Sequence, residues 1–209
     1  MTRRWCVAAG LWMTAQAAFG AAEPNWAQVV AREPNPERLV RITLDAALGV
    51  LRNKDLKPET REAKISEIVT PVFDLPLMAR LSLGQKNWAR FKPAQQTRFT
   101  DLFVLHLKDT YREKLALYTD QQVTVKSAVS KDKKIQVPTE ILTEDKAVTV
   151  VYLLARLQDR WKIYDVEIEG ISIVRTFRSQ FEEILTKGSP EDLLRRLEAR
   201  PQDPNAPKA

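Results

Sequence analysis

The stretch from Trp161 to Leu185, WKIYDVEIEGISIVRTFRSQFEEIL, decides the fold. Its first part, as far as Gly170, is rich in aromatic and β-branched residues, which predicts a strand. The second part predicts a helix over 171–187, because apolar residues recur there at helical spacing. These residues are Ile171, Val174, Phe177 and Phe181. A strand and a helix joined by a tight turn, both with surplus apolar surface, indicate a protein that encloses something apolar.

Three further strands are predicted before this stretch. Apolar and polar residues alternate near 123–125 and near 135–137, whereas 147–155 is apolar at almost every position. The last pattern is typical of a strand that is buried on both faces. Short polar links separate the strands and favour antiparallel hairpins. Pro138 lies in the second of these strands, and it predicts an edge position because proline cannot donate to the sheet.

Helices are predicted on both sides of the strands from apolar periodicity, proline starts and capping residues. Asn35 and Pro36 begin the first of them, Asp74 caps the third, and Gly84 ends it. The predicted helices span 36–53, 58–70, 75–83, 93–118, 171–187 and 190–199. The sequence therefore predicts one α+β domain over 23–200, with a four-stranded antiparallel sheet packed by N- and C-terminal helices.

The N-terminal segment 1–22 is predicted to be a cleaved signal peptide. Arg3 and Arg4 precede a short apolar run that ends in small residues, which is the pattern of a secretory signal. Its removal would take away the only cysteine, Cys6, and lower the formal net charge from +6 to +4. The mature chain is then expected to hold no disulfide and no thiolate metal site. The proline-containing tail 201–209 is expected to be disordered.

Few residues in the mature chain suggest catalysis. His106 is a lone histidine in a predicted helix, and no cluster has the spacing of metal ligands or of a glycine-rich phosphate loop. No cofactor is expected, and scattered basic residues argue against nucleic-acid binding. Asp165, Glu167 and Glu169 share one strand face. They form either a solvated or ion-paired surface or, alternatively, an acid/base pair.

The positive signal is an apolar one, spread over the predicted sheet and three helical segments. Ordinary core packing is the competing interpretation for each residue, and composition does not decide between core and binding site. The candidate residues of an apolar site are Phe73, Met78, Leu81, Phe99, Phe103, Leu107, Tyr111, Leu115, Val150, Tyr152, Leu154, Tyr164, Val166, Ile168, Val174, Phe177 and Phe181.

Three segments resemble the MlaC-type periplasmic phospholipid-binding family, also described as toluene-tolerance auxiliary proteins. They are PVFDLPLMARLSLG at 71–84, the helix from Pro93 to Tyr118, and the segments WKIYDV, EGIS and RSQF within 161–181. The similarity spans roughly 37–198. Phe73 stands where this family often has tyrosine, and Pro190 lies in a turn that usually carries glycine.

The resemblance implies a twisted sheet and helices around a deep apolar pocket for two acyl chains, with no catalytic residue. It makes the candidate residues of the apolar site the predicted lipid-contacting residues. It also implies a monomeric periplasmic carrier between an outer-membrane lipoprotein–porin complex and the substrate-binding ring of an inner-membrane ABC transporter. Release into water would be unfavourable, so the helices are expected to move relative to the sheet when the carrier docks. Gly84 and Gly170 are the candidate hinges.

Alternatives remain open at this point. The ligand could be a hopanoid-like polycyclic lipid rather than a phospholipid. The protein could also be an enzyme on a cone-like α+β fold, with Asp165 or Glu167 as the acid/base, or an adaptor that carries nothing. An adaptor predicts a filled core without a cavity, whereas an enzyme predicts a water-filled pocket with a buried, ionised carboxylate.

Overall fold

The computed structural model describes residues 24–116, 121–131, 134–143 and 146–199, and for 112–116 and Lys131 it describes the backbone alone. The predicted signal peptide 1–22 and the predicted tail 201–209 lie outside the described residues. So does Tyr118, at the predicted end of the longest helix. Leu115 lies in that helix, but its side chain is among those not described.

Seven helices are present in the described part of the chain. Caps and prolines begin them as the sequence predicts: the Asn35 side chain accepts a hydrogen bond from the backbone N–H of Arg38, and Asp74 accepts one from that of Leu77. The helix α1 was not predicted, because its seven residues contain a single buried side chain, Val30. The helices are α1 (Trp26–Arg32), α2 (Pro36–Arg52), α3 (Pro58–Val69), α4 (Leu75–Trp88), α5 (Pro93–Ala116), α6 (Ile173–Lys187) and α7 (Pro190–Glu198).

The sheet is antiparallel, with the order β1-β3-β4-β5-β6 and with β2 also paired to β3. The α+β class is as predicted, but the described residues form six strands rather than four. The two extra strands have three and two residues, which is too short to show an alternating pattern. The strands are β1 (Gln122–Val125), β2 (Val129–Lys131), β3 (Lys134–Leu142), β4 (Ala147–Leu157), β5 (Arg160–Ile168) and β6 (Ile171–Ser172).

The edge position predicted from Pro138 is wrong. Pro138 lies in β3, which pairs with β4 on one side and with both β1 and β2 on the other. The segment opposite the proline is the irregular stretch 126–128 between β1 and β2. Lys126 in this stretch donates its N–H to the Pro138 carbonyl at 2.8 Å. A central strand can hold this proline because the segment opposite it is irregular. No carbonyl of a regular strand there needs the N–H that proline lacks.

A β-bulge changes which residues of β5 face the interior. Leu154 pairs with Ile163 and Leu153 pairs with Asp165, so Tyr164 is an extra residue without a partner in β4. Beyond the bulge, Val166 pairs with Tyr152. The residues that share one side of the sheet, here named the inner sheet face, are Ile135, Val137, Thr139, Ile141, Val148, Val150, Tyr152, Leu154, Ile163, Val166 and Ile168.

The predicted helix over 171–187 starts two residues later, at Ile173. Ser172 is its N-cap and accepts a hydrogen bond from the N–H of Arg175 at 3.0 Å. Ile171 lies in β6 with 66% of its surface exposed, so it does not belong to the apolar face of the helix. In the described part of the chain, no helix combines the length and apolar composition that a membrane span requires.

Candidate functional site

The inner sheet face contains five of the predicted lipid-contacting residues. Val150, Leu154 and Val166 are buried, whereas Tyr152 and Ile168 are partly buried against the same core. Tyr164 was predicted on this face by strict alternation, but the bulge takes it out of register. Ile163, which was not predicted, takes the place opposite Leu154 and is 2% exposed. Only the bulge reveals this exchange, and alternation in the sequence cannot show it.

An aromatic cluster joins α5 to α6. The ring centroids of Phe103 and Phe177 lie 5.4 Å apart, and those of Phe99 and Phe181 lie 5.5 Å apart, both edge to face. Phe177 and Phe181 are stacked at 5.7 Å. All four side chains are buried. Edge-to-face pairs of this kind each add about 0.5–1.5 kcal/mol to the free energy of apolar burial, so the cluster holds the two helices firmly together.

The remaining predicted residues differ in burial. Met78 and Val174 are buried in the core that the helices share with the sheet, and the partly buried Phe73, Leu107 and Tyr111 pack against that core. Phe73 also forms a bridge to Ile163 that extends the sheet edge. Leu81 is more exposed, at 37%. Among the predicted residues with described side chains, Tyr164 and Leu81 are therefore the two outside the shared core.

Tyr152 marks the centre of this region. It lies in the middle of β4 between two paired strands, and burial raises the pKa of its hydroxyl to about 12. Two clefts, of about 470 and 480 Å³, occur elsewhere, one between α6 and α7 and the other between α4 and α5. Neither contains a predicted lipid-contacting residue. The inner sheet face and the aromatic cluster belong to the same hydrophobic core.

Asp165 is a buried structural carboxylate. Its Oδ1 accepts hydrogen bonds from the N–H groups of Val166 at 2.8 Å and Val174 at 3.1 Å, and its Oδ2 accepts one from the Ser172 hydroxyl at 2.5 Å. Val174 lies in the first turn of α6, where a negative charge also interacts favourably with the helix dipole. Asp165 therefore fixes the start of α6 to β5, and the expectation that it lies on a solvated face is wrong.

The other two carboxylates of that segment do not pair with Asp165. Glu167 lies 3.4 Å from the guanidinium of Arg175, and Glu169 accepts a hydrogen bond from the N–H of Thr149 at 2.5 Å. Each therefore has a structural partner of its own. In the described residues, no group of three or more His, Cys, Asp or Glu side chains could hold a metal ion.

The two candidate hinge glycines both have positive φ. Gly170 (φ 78°) follows Glu169 (φ 50°) in the tight turn between β5 and β6. Gly84 (φ 68°) interrupts α4, and an added Cβ would lie 2.9 Å from the guanidinium of Arg178 on α6. Both positions need a left-handed backbone, which glycine adopts without strain. The structure gives a conformational reason for each glycine, and their role as hinges stays a prediction.

His106 lies at the edge of the aromatic cluster. Its ring centroid is 5.5 Å from that of Phe177, and its buried Nδ1 has no hydrogen-bond partner among the described residues. Burial lowers the pKa of the imidazole, and the carboxylate of Asp109 opposes this only in part. The neutral form is therefore the one that the folded protein favours.

This predicts a pH dependence of stability. The unfolded imidazole, with a pKa of about 6.5, binds a proton more readily than the folded one. The contribution of His106 to the free energy of unfolding is thus complete above about pH 6.5, and it is lost as the pH falls below that value. Urea unfolding of the wild type and of His106→Gln at pH 7.5 and pH 5.0 measures this. We expect the wild type to lose more stability than the variant, and equal losses would contradict the prediction.

A family model described as "MlaC protein" matches residues 41–199. The toluene tolerance protein ttg2D of Pseudomonas putida is 28% identical over 158 residues, which cover 73% of this chain and 74% of that protein.

A solved structure shares the fold. It is the phospholipid-binding protein from Ralstonia solanacearum in complex with a phospholipid, with a TM-score of 0.72 and 22% sequence identity. The alignment covers 79% of this chain and 96% of that one. The match extends over almost the whole neighbour, so the two chains share their architecture rather than a local motif.

Proposed function

The chain belongs to the MlaC family, as the sequence resemblance predicted, and we propose that it is a periplasmic phospholipid carrier. The observation that carries this proposal is the shared fold with a protein solved in complex with a phospholipid. The apolar core between the inner sheet face and the α5–α6 aromatic cluster supports it.

Physical chemistry explains why such a carrier would need apolar walls and little else. Two acyl chains hold about 30 methylenes, and exposing them to water costs roughly 0.8 kcal/mol each, more than about 20 kcal/mol in total. A phospholipid therefore crosses water slowly unless a protein encloses its tails. The proposed walls are the inner sheet face on one side and α5 with α6 on the other, lined by the predicted lipid-contacting residues.

We propose that lipid entry requires the inner sheet face to separate from α5 and α6. We propose that the lipid enters beside Leu107, Tyr111, Tyr152 and Ile168, while Asp165 and its partners hold the start of α6 on β5. These four side chains are partly buried, whereas those of the aromatic cluster are fully packed. Gly84 and Gly170 remain the proposed hinges of this opening.

The proposed route runs between an outer-membrane lipoprotein–porin complex and the substrate-binding ring of an inner-membrane ABC transporter. Transfer of a dye-labelled phospholipid between donor and acceptor vesicles tests the carrier step itself. We expect the protein to raise the transfer rate in proportion to its concentration. The same rate with and without protein would contradict a carrier, and boiled protein serves as the control.

A further inference from the structure

A basic cleft of about 470 Å³ lies between the C-terminal end of α6 and α7, away from the proposed lipid site. Its lining includes Ile184 and Lys187 from α6, Gly188 from the turn, and Asp192, Arg195 and Arg196 from α7. Three of these residues are cationic and one is acidic. The cleft is thus a concentration of positive charge at one end of the molecule.

The acidic side chains of α7 are paired with other groups of the protein. Glu191 and Glu198 both bind Arg98 of α5, with the nearest nitrogen–oxygen distances at 2.8 and 2.7 Å. Asp192 closes the capping box by accepting hydrogen bonds from the N–H and hydroxyl of Ser189, and it also pairs with Arg195. These bonds lower the pKa of the Asp192 carboxyl to about 2. All three acids of α7 are therefore engaged within the protein.

Two of the three cations on the cleft side are not matched in this way. Within the part of the chain that the structure describes, neither Lys187 nor Arg196 forms an ion pair or a side-chain hydrogen bond. Arg90 adds a fourth positive charge beside them, since its guanidinium binds the carbonyls of Leu185 at 2.9 Å and Gly188 at 3.0 Å. Arg90 thereby satisfies carbonyl groups at the α6 terminus that would otherwise attract the neighbouring cations.

We propose that this cleft is an electrostatic docking site for the anionic headgroups of a membrane surface. Guanidinium and ammonium groups bind lipid phosphates by charge-assisted hydrogen bonds. The cleft offers Ile184 as its one large apolar side chain, whereas a protein partner would normally need a larger apolar or aromatic anchor. The site would hold the protein at an anionic membrane, and it does not depend on whether the interior carries a phospholipid.

Vesicle sedimentation tests this proposal. The full protein is mixed with phosphatidylcholine vesicles that contain either 30% phosphatidylglycerol or none. We expect binding to the anionic vesicles at low salt, little binding to the neutral ones, and loss of binding in about 0.5 M NaCl. The variant Lys187→Gln/Arg195→Gln/Arg196→Gln should bind about a hundredfold more weakly, since each cation near an anionic surface contributes about a fivefold factor.

A charge-matched control separates the cleft from the net charge of the protein. Lys54→Gln/Lys57→Gln/Lys146→Gln removes three exposed cations at other places. Its loss of binding should be several-fold smaller than that of the triple variant in the cleft. The double variant Lys187→Gln/Arg196→Gln keeps the Arg195–Asp192 pair and should still lose about 25-fold. Equal losses in both triple variants, or no binding of the wild type to anionic vesicles, would overturn the proposal, and the latter would favour an acidic protein partner.

Discussion

Replacing Asp165 by alanine is expected to lower the free energy of unfolding by about 3–5 kcal/mol. The carboxylate accepts three hydrogen bonds in a buried environment, from Val166, Ser172 and Val174. Alanine would leave these donors without their acceptor and would remove a charge that stabilises the start of α6. For a domain of this size, the loss corresponds to a decrease in melting temperature of about 10 °C, which differential scanning calorimetry can measure.

Two variants control for this effect. Glu167→Ala removes a carboxylate two residues away that pairs with Arg175 at the surface, and it should change the free energy of unfolding by less than about 1 kcal/mol. Asp165→Asn keeps the shape of the side chain but leaves one acceptor oxygen. Its loss of unfolding free energy should therefore lie between those of Asp165→Ala and Glu167→Ala. Melting of Asp165→Ala within 2 °C of the wild type, a shift of about 1 kcal/mol or less, would refute the structural role.

The second large effect is expected from filling the proposed lipid site. Ile168 lies on the inner sheet face opposite Val150 and is partly buried. An indole at this position would occupy space that the proposal gives to an acyl chain. Displacing two methylenes costs about 1.6 kcal/mol, so Ile168→Trp should lower the bound phospholipid more than about tenfold. Overpacking should cost only about 1–3 kcal/mol of stability.

The matched control is Leu157→Trp, which adds the same ring at the exposed end of β4, where Leu157 is 49% exposed. This variant should keep the wild-type amount of phospholipid. Extraction of lipid from both purified variants, followed by phosphate analysis, makes the comparison. A folded Ile168→Trp that retains as much phospholipid as the wild type would place the ligand elsewhere. Leu154 is a poorer test position because it is fully buried and a larger ring there would mainly destabilise the fold.

Much of the fold follows from local signals in the sequence. Asn35, Asp74 and the prolines at helix starts predict helix boundaries because capping acts over three or four residues. The class and most strands follow from periodicity. The position of Pro138 does not, because the gap between β1 and β2 that accommodates it depends on a non-local pairing. The short strands β2 and β6 also form only through pairing with β3 and β5, which is a signal that local periodicity does not contain.

The sequence predicts the residues of the candidate site less completely than it predicts the fold. Alternation placed Tyr164 on the inner sheet face, and the bulge replaces it with Ile163. The acidic residues Asp165 and Glu167 look equivalent in the sequence, yet one caps α6 from a buried position and the other pairs at the surface. That difference arises from the placement of α6 over β5. The serine at the N-cap, Ser172, was the one local signal that could have suggested it.

The central claim is that the interior of this protein holds a phospholipid. Native mass spectrometry of the full protein, purified without detergent, tests it most directly. We predict a complex heavier than the apoprotein by the mass of a phospholipid, with two acyl chains identified after extraction. A purified, folded protein of apoprotein mass alone would contradict the claim, and a bound polycyclic lipid without acyl chains would replace the proposed ligand.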